Sequence, residues 1–599
     1  MTLFAKNMNY FYNNIPSFYN LIKNIKTRRF QIKNNNIYDT QTNTYFYPIE
    51  NNKSLMKEVS EVYANNPMKN DFWNKYFLLK DLPHLDEKIL PITANICNNI
   101  VDFAKNSKSF TDDYYYDRDF LYTTTIFGLG SGLHLEYLTQ KYDFQSLFVY
   151  EPEEELFAIS CYFVDYERIY EKLGDRFYLF IKGNIDNKVL KKFYDDRIIT
   201  SNFLRLEFTT YNSPKIDNAK KEFYLANISN KRGWGSFEDE SIGFKNHLKN
   251  INKDIPILSG TKKINAPICV VANGASLEND LEWIKANQEN MIIISVGTSI
   301  RPLLKAGIQS DFHIEIERMA KLVEILKPSL EKYKGYFVGA SVIDSEHFKI
   351  AKKPLMFVRD ASSTTGISNY YLKYCSPMVG NTGFSFSAHF SDEVYMVGFD
   401  VGFKKDKRVH ASGSFYDDKD DKADGYPVKG NFSKDVYSND LLNLSRQNLE
   451  MAIALLKPKK VYNLSDGAYI NGTIAKKSKD IKLSKIDKEK YIQEIVNNFK
   501  KDKIKLLNYS GFLELFKSKV IELLDKNPQN RKELVEVIDL VTDYTLAFSN
   551  HIPAIGVLMR GSIWHILNIL FVSLHKIDIK EYPKIVEIIK ENIKKYKLN

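Results

Sequence analysis

The chain has 599 residues, with 84 Lys and Arg against 74 Asp and Glu for a formal charge of +10. That length exceeds what one hydrophobic core sustains, so several structural units are expected. The small, evenly spread positive charge excludes a nucleic-acid binder and leaves a weak attraction for phosphate-bearing ligands.

The N-terminus, "MTLFAKNMNYFYNN", has neither an apolar h-region nor a small-residue cleavage site, so no signal peptide is expected and the protein is placed in the cytoplasm. Residues 1–115 mix short amphipathic pieces with Asn-rich turns and are expected to form a small α+β module. From residue 116 the texture changes. "YTTTIFGLGSGLHLEYLTQ" reads as a strand, then Gly128, Gly130 and Gly132, then a helix, and "SLFVYEPEEELF" reads as a second strand closing on Glu151. Strand, GxGxG, helix, strand and acidic end is a Rossmann-like layout, expected over 116–255. Two readings stay open: a second nucleotide or S-adenosyl site with Glu151 on the ribose, or a turn that simply needs glycine.

Residues 256–480 form a second α/β unit. Short apolar runs at 268–271, 291–296, 312–316, 336–340, 355–358 and 394–397 alternate with helical patterns, which predicts a parallel sheet covered on both faces. The stretch after Asp400, "KKDKRVHASGSFYDDKDDKADGYPVKGN", is too charged to pack and reads as an active-site or acceptor loop. From 481 to 599 the pattern is helical, so a separate helical C-terminal domain is expected. Within it "GSIWHILNILFVSLH" is shorter than the ~20 residues a membrane span needs and predicts a buried helix. Four cysteines, Cys97, Cys161, Cys269 and Cys375, lack CxxC or histidine spacing, which predicts buried, reduced thiols and no zinc.

In a doubly wound sheet ligands collect outside the carboxyl ends of the strands. There, in "CVVANGASL", Gly274 would let the backbone approach a ligand, Asn273 would present an amide, and Ser276 would cap a helix whose free amides favour phosphate. The next strand ends on Ser295, Gly297, Thr298 and Ser299. In "DFHIEIERM", Glu315 and Glu317 would need a ribose, an amide network, a metal, or a Lys or Arg partner. Asn381, Thr382 and Gly383 in "GNTGFSFSAHF" would open another helix toward a phosphate, and Asp400 closes the last strand. Four strand ends, each rich in small polar or acidic residues, converge on one rim.

At these residues the sequence resembles the motility accessory factor (Maf) flagellin glycosyltransferases. The resemblance rests on "VVANGASL", "SVGTSIRPLLKAGIQSDFHIEIE" and "NTGFSFSAHFSDEVYMVGFDVGF", with "IFGLGSGLHLEYL" and "VYEPEEELF" before them, and covers residues 115–450. The central part also resembles MptE-like pterin diphosphokinases and bacterial sialyltransferases. The resemblance implies an inverting transfer of pseudaminic or legionaminic acid from its CMP-activated form to Ser or Thr of flagellin, in the cytoplasm, for flagellum assembly and motility. No cofactor would be required, with magnesium an option. Asn273, Gly274 and Ser276 would hold the CMP phosphate, and Thr382 and Gly383 the cytidine or phosphate. Phe403 stands where the sialyltransferases have a loop tyrosine. His410 would be the catalytic base, with Glu317 competing. Two rival roles remain: a magnesium-dependent diphosphokinase using Glu315 and Glu317, or a non-catalytic flagellin-binding factor. The latter would use C-terminal apolar residues such as Leu506, Leu507, Phe512, Leu513, Leu515 and Phe516, which otherwise pack on one another.

Overall fold

A computed structural model describes residues 1–598 apart from 27, 78–80, 184, 186, 231–233, 418, 420 and 502–506. The chain divides into two compact units, one of Met1–Trp234, Lys517–Thr545 and Ser562–Tyr596, the other of Gly235–Phe516, Leu546–Gly561 and Lys597–Asn599. This division does not follow the four expected segments: the first break falls at Trp234, and the C-terminal helical residues are shared between the units. They form helices at Tyr509–Leu524, Arg531–His551, Pro553–Lys576 and Tyr582–Ile593. Pro553–Lys576 is 24 residues, longer than its apolar stretch suggested. It is long and apolar enough to cross a membrane, yet 83% of its most apolar window is buried in protein. All four cysteines are buried and in no disulfide among the described residues, as their spacing predicts.

The first unit is built on five strands, β1 (Trp73–Phe77), β2 (Thr123–Phe127), β3 (Leu147–Glu151), β4 (Phe177–Ile181) and β5 (Leu204–Thr209), in the order β4-β3-β2-β5-β1. All run parallel except β1, which closes the edge antiparallel to β5. The expected N-terminal module therefore lends a strand to the Rossmann-like sheet. After β2 the turn through Gly128, Gly130 and Gly132 leads into α1 (Leu133–Lys141), and each glycine has a left-handed φ, between 54° and 89°.

Here the structure departs from a second nucleotide site, because the turn is filled by protein. A side chain on Gly128 would meet the Tyr211 ring at 2.7 Å, and one on Gly130 the Tyr47 hydroxyl at 2.7 Å. Glu151 is buried and accepts from the Leu129 amide at 2.6 Å, the Glu153 amide at 2.8 Å and the Tyr211 hydroxyl at 2.5 Å. The carboxylate expected on a ribose instead clamps the turn. Burial pushes its pKa from 4.5 to about 7 despite these donors. A raised folded value means that its contribution to stability is complete below pH 4.5 and is lost as pH rises through about 7. Glu151→Gln should therefore flatten the fall in stability across that window, measured as the denaturant midpoint against pH; an unchanged slope would show that Glu151 does not titrate there.

The main sheet of the second unit has ten strands among the described residues: β6 (Ile257–Leu258), β7 (Ile268–Val271), β8 (Ile292–Val296), β9 (Phe312–Glu315), β10 (Tyr336–Ala340), β11 (Pro354–Phe357), β12 (Glu393–Val397), β13 (Lys460–Asn463), β14 (Ile474–Ala475) and β15 (Phe499–Lys500). Their order is β14-β13-β12-β7-β8-β9-β10-β11-β6-β15, and only the β6–β15 pair is antiparallel. Alternate residues feed different cores. Ile268, Val270, Ile292 and Ile294 join one apolar cluster, while Cys269, Val271 and Ile293 join another, so the sheet is buried on both faces. The chain leaves β7 toward β8 and returns on the other side as β12. The switch point of the sheet therefore lies at β7, where a doubly wound fold places its ligand.

Candidate functional site

A cleft of about 420 Å³ opens at that switch point. Its walls come from Ala272–Gly274 after β7, Val296–Thr298 at β8, Glu315–Glu317 at β9, and Gly398–Gly402 after β12. Pro377–Gly380 at the start of α2 (Val379–Phe390), loop residues Val409, His410 and Tyr416, and Leu442 and Ser445 of α3 (Asp440–Leu456) complete it. Of the expected residues, Asn273, Gly274, Gly297, Thr298, Glu315, Glu317, Asp400 and His410 line the cleft. Ser276, Ser295, Asn381, Thr382 and Gly383 do not.

The turn after β7 is not a phosphate cradle. The amides of Gly274, Ala275 and Leu277 donate to the carbonyls of Gly398 (2.9 Å), Val409 (3.1 Å) and Gly274 (3.0 Å). Ser276 sits inside a 3-10 turn, Ala275–Asp280, and makes no side-chain cap. It gives Asp400 both its amide, at 2.9 Å, and its hydroxyl. Nor does Gly274 serve a ligand's approach. Its φ of −66° suits any residue, but a Cβ there would lie 2.6 Å from the Asp400 carboxyl carbon and 2.6 Å from the Gly398 carbonyl. The glycine lets β12 and the turn close on each other.

Asn273 and Glu315 each line the cleft and each keep a buried side-chain oxygen without a partner. Asn273 donates to the Thr298 hydroxyl at 2.9 Å, while its Oδ1 is buried without a partner. Gly297, at φ +53°, turns the chain to bring Thr298 there. Glu315 Oε1 accepts from the amides of Ile316 (2.7 Å) and Glu317 (2.9 Å), and Oε2 is buried without a partner. Burial pushes the Glu315 carboxyl up to about 7 and that of Asp400 to about 6. Glu317 is exposed on the cleft wall and accepts from the Met319 amide at 3.2 Å.

Ser295 belongs to the core, its hydroxyl 2.7 Å from that of Ser310 and 2.9 Å from His313 Nδ1. The helix expected to open at Asn381 opens at Val379 instead. Asn381 takes the Met378 amide at 3.3 Å and locks α2 to α3 through the Ser445 carbonyl (2.9 Å) and hydroxyl (2.7 Å). Thr382 donates to the Cys375 carbonyl at 2.8 Å, and a Cβ on Gly383 would strike Val296 at 2.4 Å. Both are packing residues. Val379 and Gly380 line the cleft at the start of α2, where first-turn amides have no intrahelical partner.

The charged loop after β12 does pack in part: Ala411 and Ser414 are fully buried. Backbone bonds pin it across the β7 turn, from the Ala411 amide to the Asn273 carbonyl at 3.0 Å and from Ala275 back to Val409. His410 is thereby fixed on the cleft wall, its ring stacked on Tyr416 at 3.8 Å between centroids and 10° between planes. Its Nδ1 lies 2.6 Å from Asp421 Oδ1, and its amide donates to Oδ2 at 2.7 Å. A carboxylate only accepts, so Nδ1 carries a proton, and in the neutral ring the lone pair is on Nε2. Asp421 and Tyr416 were not anticipated from sequence. Phe403, expected at the place of a loop tyrosine, is buried and pairs its backbone with Tyr437; Tyr416 is the loop tyrosine in the cleft. Among the described residues no group of three or more His, Cys, Asp or Glu is placed to hold a metal.

A doubly wound sheet with a cleft at its switch point, and with a helix start and a His–Asp pair on the walls, is the arrangement of a ligand-binding α/β fold. Residues 3–226 match the family model of the glycosyltransferase Maf N-terminal domain, and residues 243–406 match that of the 6-hydroxymethylpterin diphosphokinase MptE-like family. The chain also shares its fold with a Maf glycosyltransferase from Magnetospirillum magneticum AMB-1, at a TM-score of 0.75 and 20% identity over 99% of this chain and 94% of that one. No curated protein matches it. The Maf domain together with this fold supports glycosyltransferase activity.

Proposed function

We propose that the chain transfers a nonulosonic acid, pseudaminic or legionaminic, from its CMP-activated donor to Ser or Thr hydroxyls of flagellin in the cytoplasm, in support of flagellum assembly. The observation that carries this reading is the His410–Asp421 pair beside the first-turn amides of α2 in one cleft. Those amides suit the donor phosphate. The open oxygens of Asn273 and Glu315 suit hydroxyl and amino donors of the nucleoside or sugar. His410, oriented by Asp421, takes the acceptor proton as the anomeric carbon leaves CMP, an inverting displacement in which the hydroxyl oxygen forms the new bond. Glu317, exposed at the wall, is the alternative base. Flagellin engages the C-terminal helical region in this reading. There Leu513 and Phe516 are buried, Leu507 and Leu515 are exposed, and Leu506 lies outside the described residues.

Calorimetric titration should show CMP binding, and EDTA should leave transfer unchanged because amides and hydroxyls carry the phosphate. Strict magnesium dependence with AMP released from ATP would replace this reading by diphosphoryl transfer.

A further inference from the structure

A second cavity, of about 480 Å³, lies within the first unit and shares no residue with the cleft. It forms where two helices end: Asn66 and Lys69 follow the helix Met56–Ala64, Lys141 and Tyr142 close α1, and Asp117 and Arg118 come from the segment before β2. Its lining carries three cations, Lys69, Arg118 and Lys141, against one carboxylate, Asp117. That carboxylate is engaged, its Oδ2 accepting the Lys532 amide at 2.9 Å. Among the described residues the side chains of Lys69 and Arg118 form no ion pair, and Lys141 meets neutral groups, Asn65 Oδ1 at 3.4 Å and the Tyr142 ring at 5.2 Å.

The helix end does not consume these charges. Lys172 already donates to the carbonyls of Thr139 (2.9 Å) and Tyr142 (2.7 Å), and the next carboxylate, Asp143, is paired with Lys532 at 2.7 Å. Tyr142 adds a buried donor: it is 3% exposed, and its hydroxyl accepts the Asn66 amide at 3.1 Å, which leaves the phenolic proton for a further acceptor. The adjoining cavity that shares Lys141 carries Glu58 and Glu61, so the positive side is that of Lys69 and Arg118.

We infer that this cavity binds a phosphate dianion, as a small phosphate monoester presents it. Three cations against one carboxylate leave a charge of +2 on the lining, which two negative charges balance and one does not. Arg118 supplies a planar fork for two phosphate oxygens, and the lysines supply point charges. Tyr142, held by Asn66, supplies a neutral donor that a diffuse positive surface would lack.

The test titrates the full chain with inorganic phosphate at mildly alkaline pH and constant ionic strength, balanced with chloride and followed by phosphorus NMR. The wild type should bind saturably, and an equal concentration of acetate should not displace the phosphate. Replacing Lys69 and Arg118 together by Gln should weaken binding by about tenfold or more, and both side chains are exposed, so the fold should persist by circular dichroism. Tyr142→Phe keeps every charge and should still weaken binding by about threefold or more. The double variant carries the test if the phenylalanine variant fails to fold. Absence of saturable binding by the wild type, or equal binding by the double variant, would overturn the site. Full affinity in a folded Tyr142→Phe would reduce it to surface charge and overturn it as a built site, and displacement by acetate would overturn the dianion assignment.

Discussion

His410→Ala should lower transfer to flagellin by about a hundred- to ten-thousand-fold, the usual contribution of a general base, while CMP affinity stays near that of wild type. The imidazole is held from both sides. Tyr416 stacks on its face, and Asp421 takes both the ring Nδ1–H and the His410 amide. Such a grip fixes tautomer and orientation, the role a carboxylate plays behind a catalytic histidine. Asp421→Asn should therefore reduce turnover in the same direction, because an amide can donate to Nδ1 and stabilise the wrong tautomer. Steady-state rates and calorimetric affinities on the two variants separate the roles. A wild-type rate in His410→Ala would move the base to Glu317, and loss of CMP binding would make His410 a positioning residue for the loop.

The second large effect is expected at Gly274. A Cβ there would sit 2.6 Å from both the Asp400 carboxyl carbon and the Gly398 carbonyl oxygen, and the latter is backbone that cannot rotate away. Gly274→Val should cost about 1–3 kcal/mol of stability by overpacking and abolish CMP binding, because Gly274 and Gly398–Asp400 are adjoining parts of the cleft wall. The Cβ itself makes the clash, so Gly274→Ala should already show most of the loss. Denaturant midpoints and CMP titrations on both variants decide this. A harmless alanine beside a binding-dead valine would restore the reading in which the glycine clears a ligand's path.

Much of the second unit's sheet was legible in the sequence. Runs such as "IIIS" and "ICVV" are buried on both faces, and that environment writes itself as unbroken apolar sequence, so β7 to β12 fall within a residue or so of expectation. The outer strands β6, β13, β14 and β15 were not, because two to four residues carry little pattern. The rim was legible as a set of strand ends, yet the job of each polar residue was not. Ser276, in the turn after β7, and Ser295, within β8, are the same residue type near one rim, and one serves Asp400 while the other serves Ser310 and His313. Partners far apart in sequence decide that. α2 starts two residues before Asn381, whose side chain takes the Met378 amide and bonds Ser445, 64 residues on. Asp421 hid in a run of acidic residues that composition alone assigns to solvent.

The most direct test of the account is the intact mass of flagellin incubated with the purified chain and a CMP-nonulosonate. The account predicts a gain of whole nonulosonate units on flagellin Ser or Thr, one CMP released for each, with EDTA present and with the gain lost in His410→Ala. Flagellin of unchanged mass beside a chain that binds the donor would contradict it.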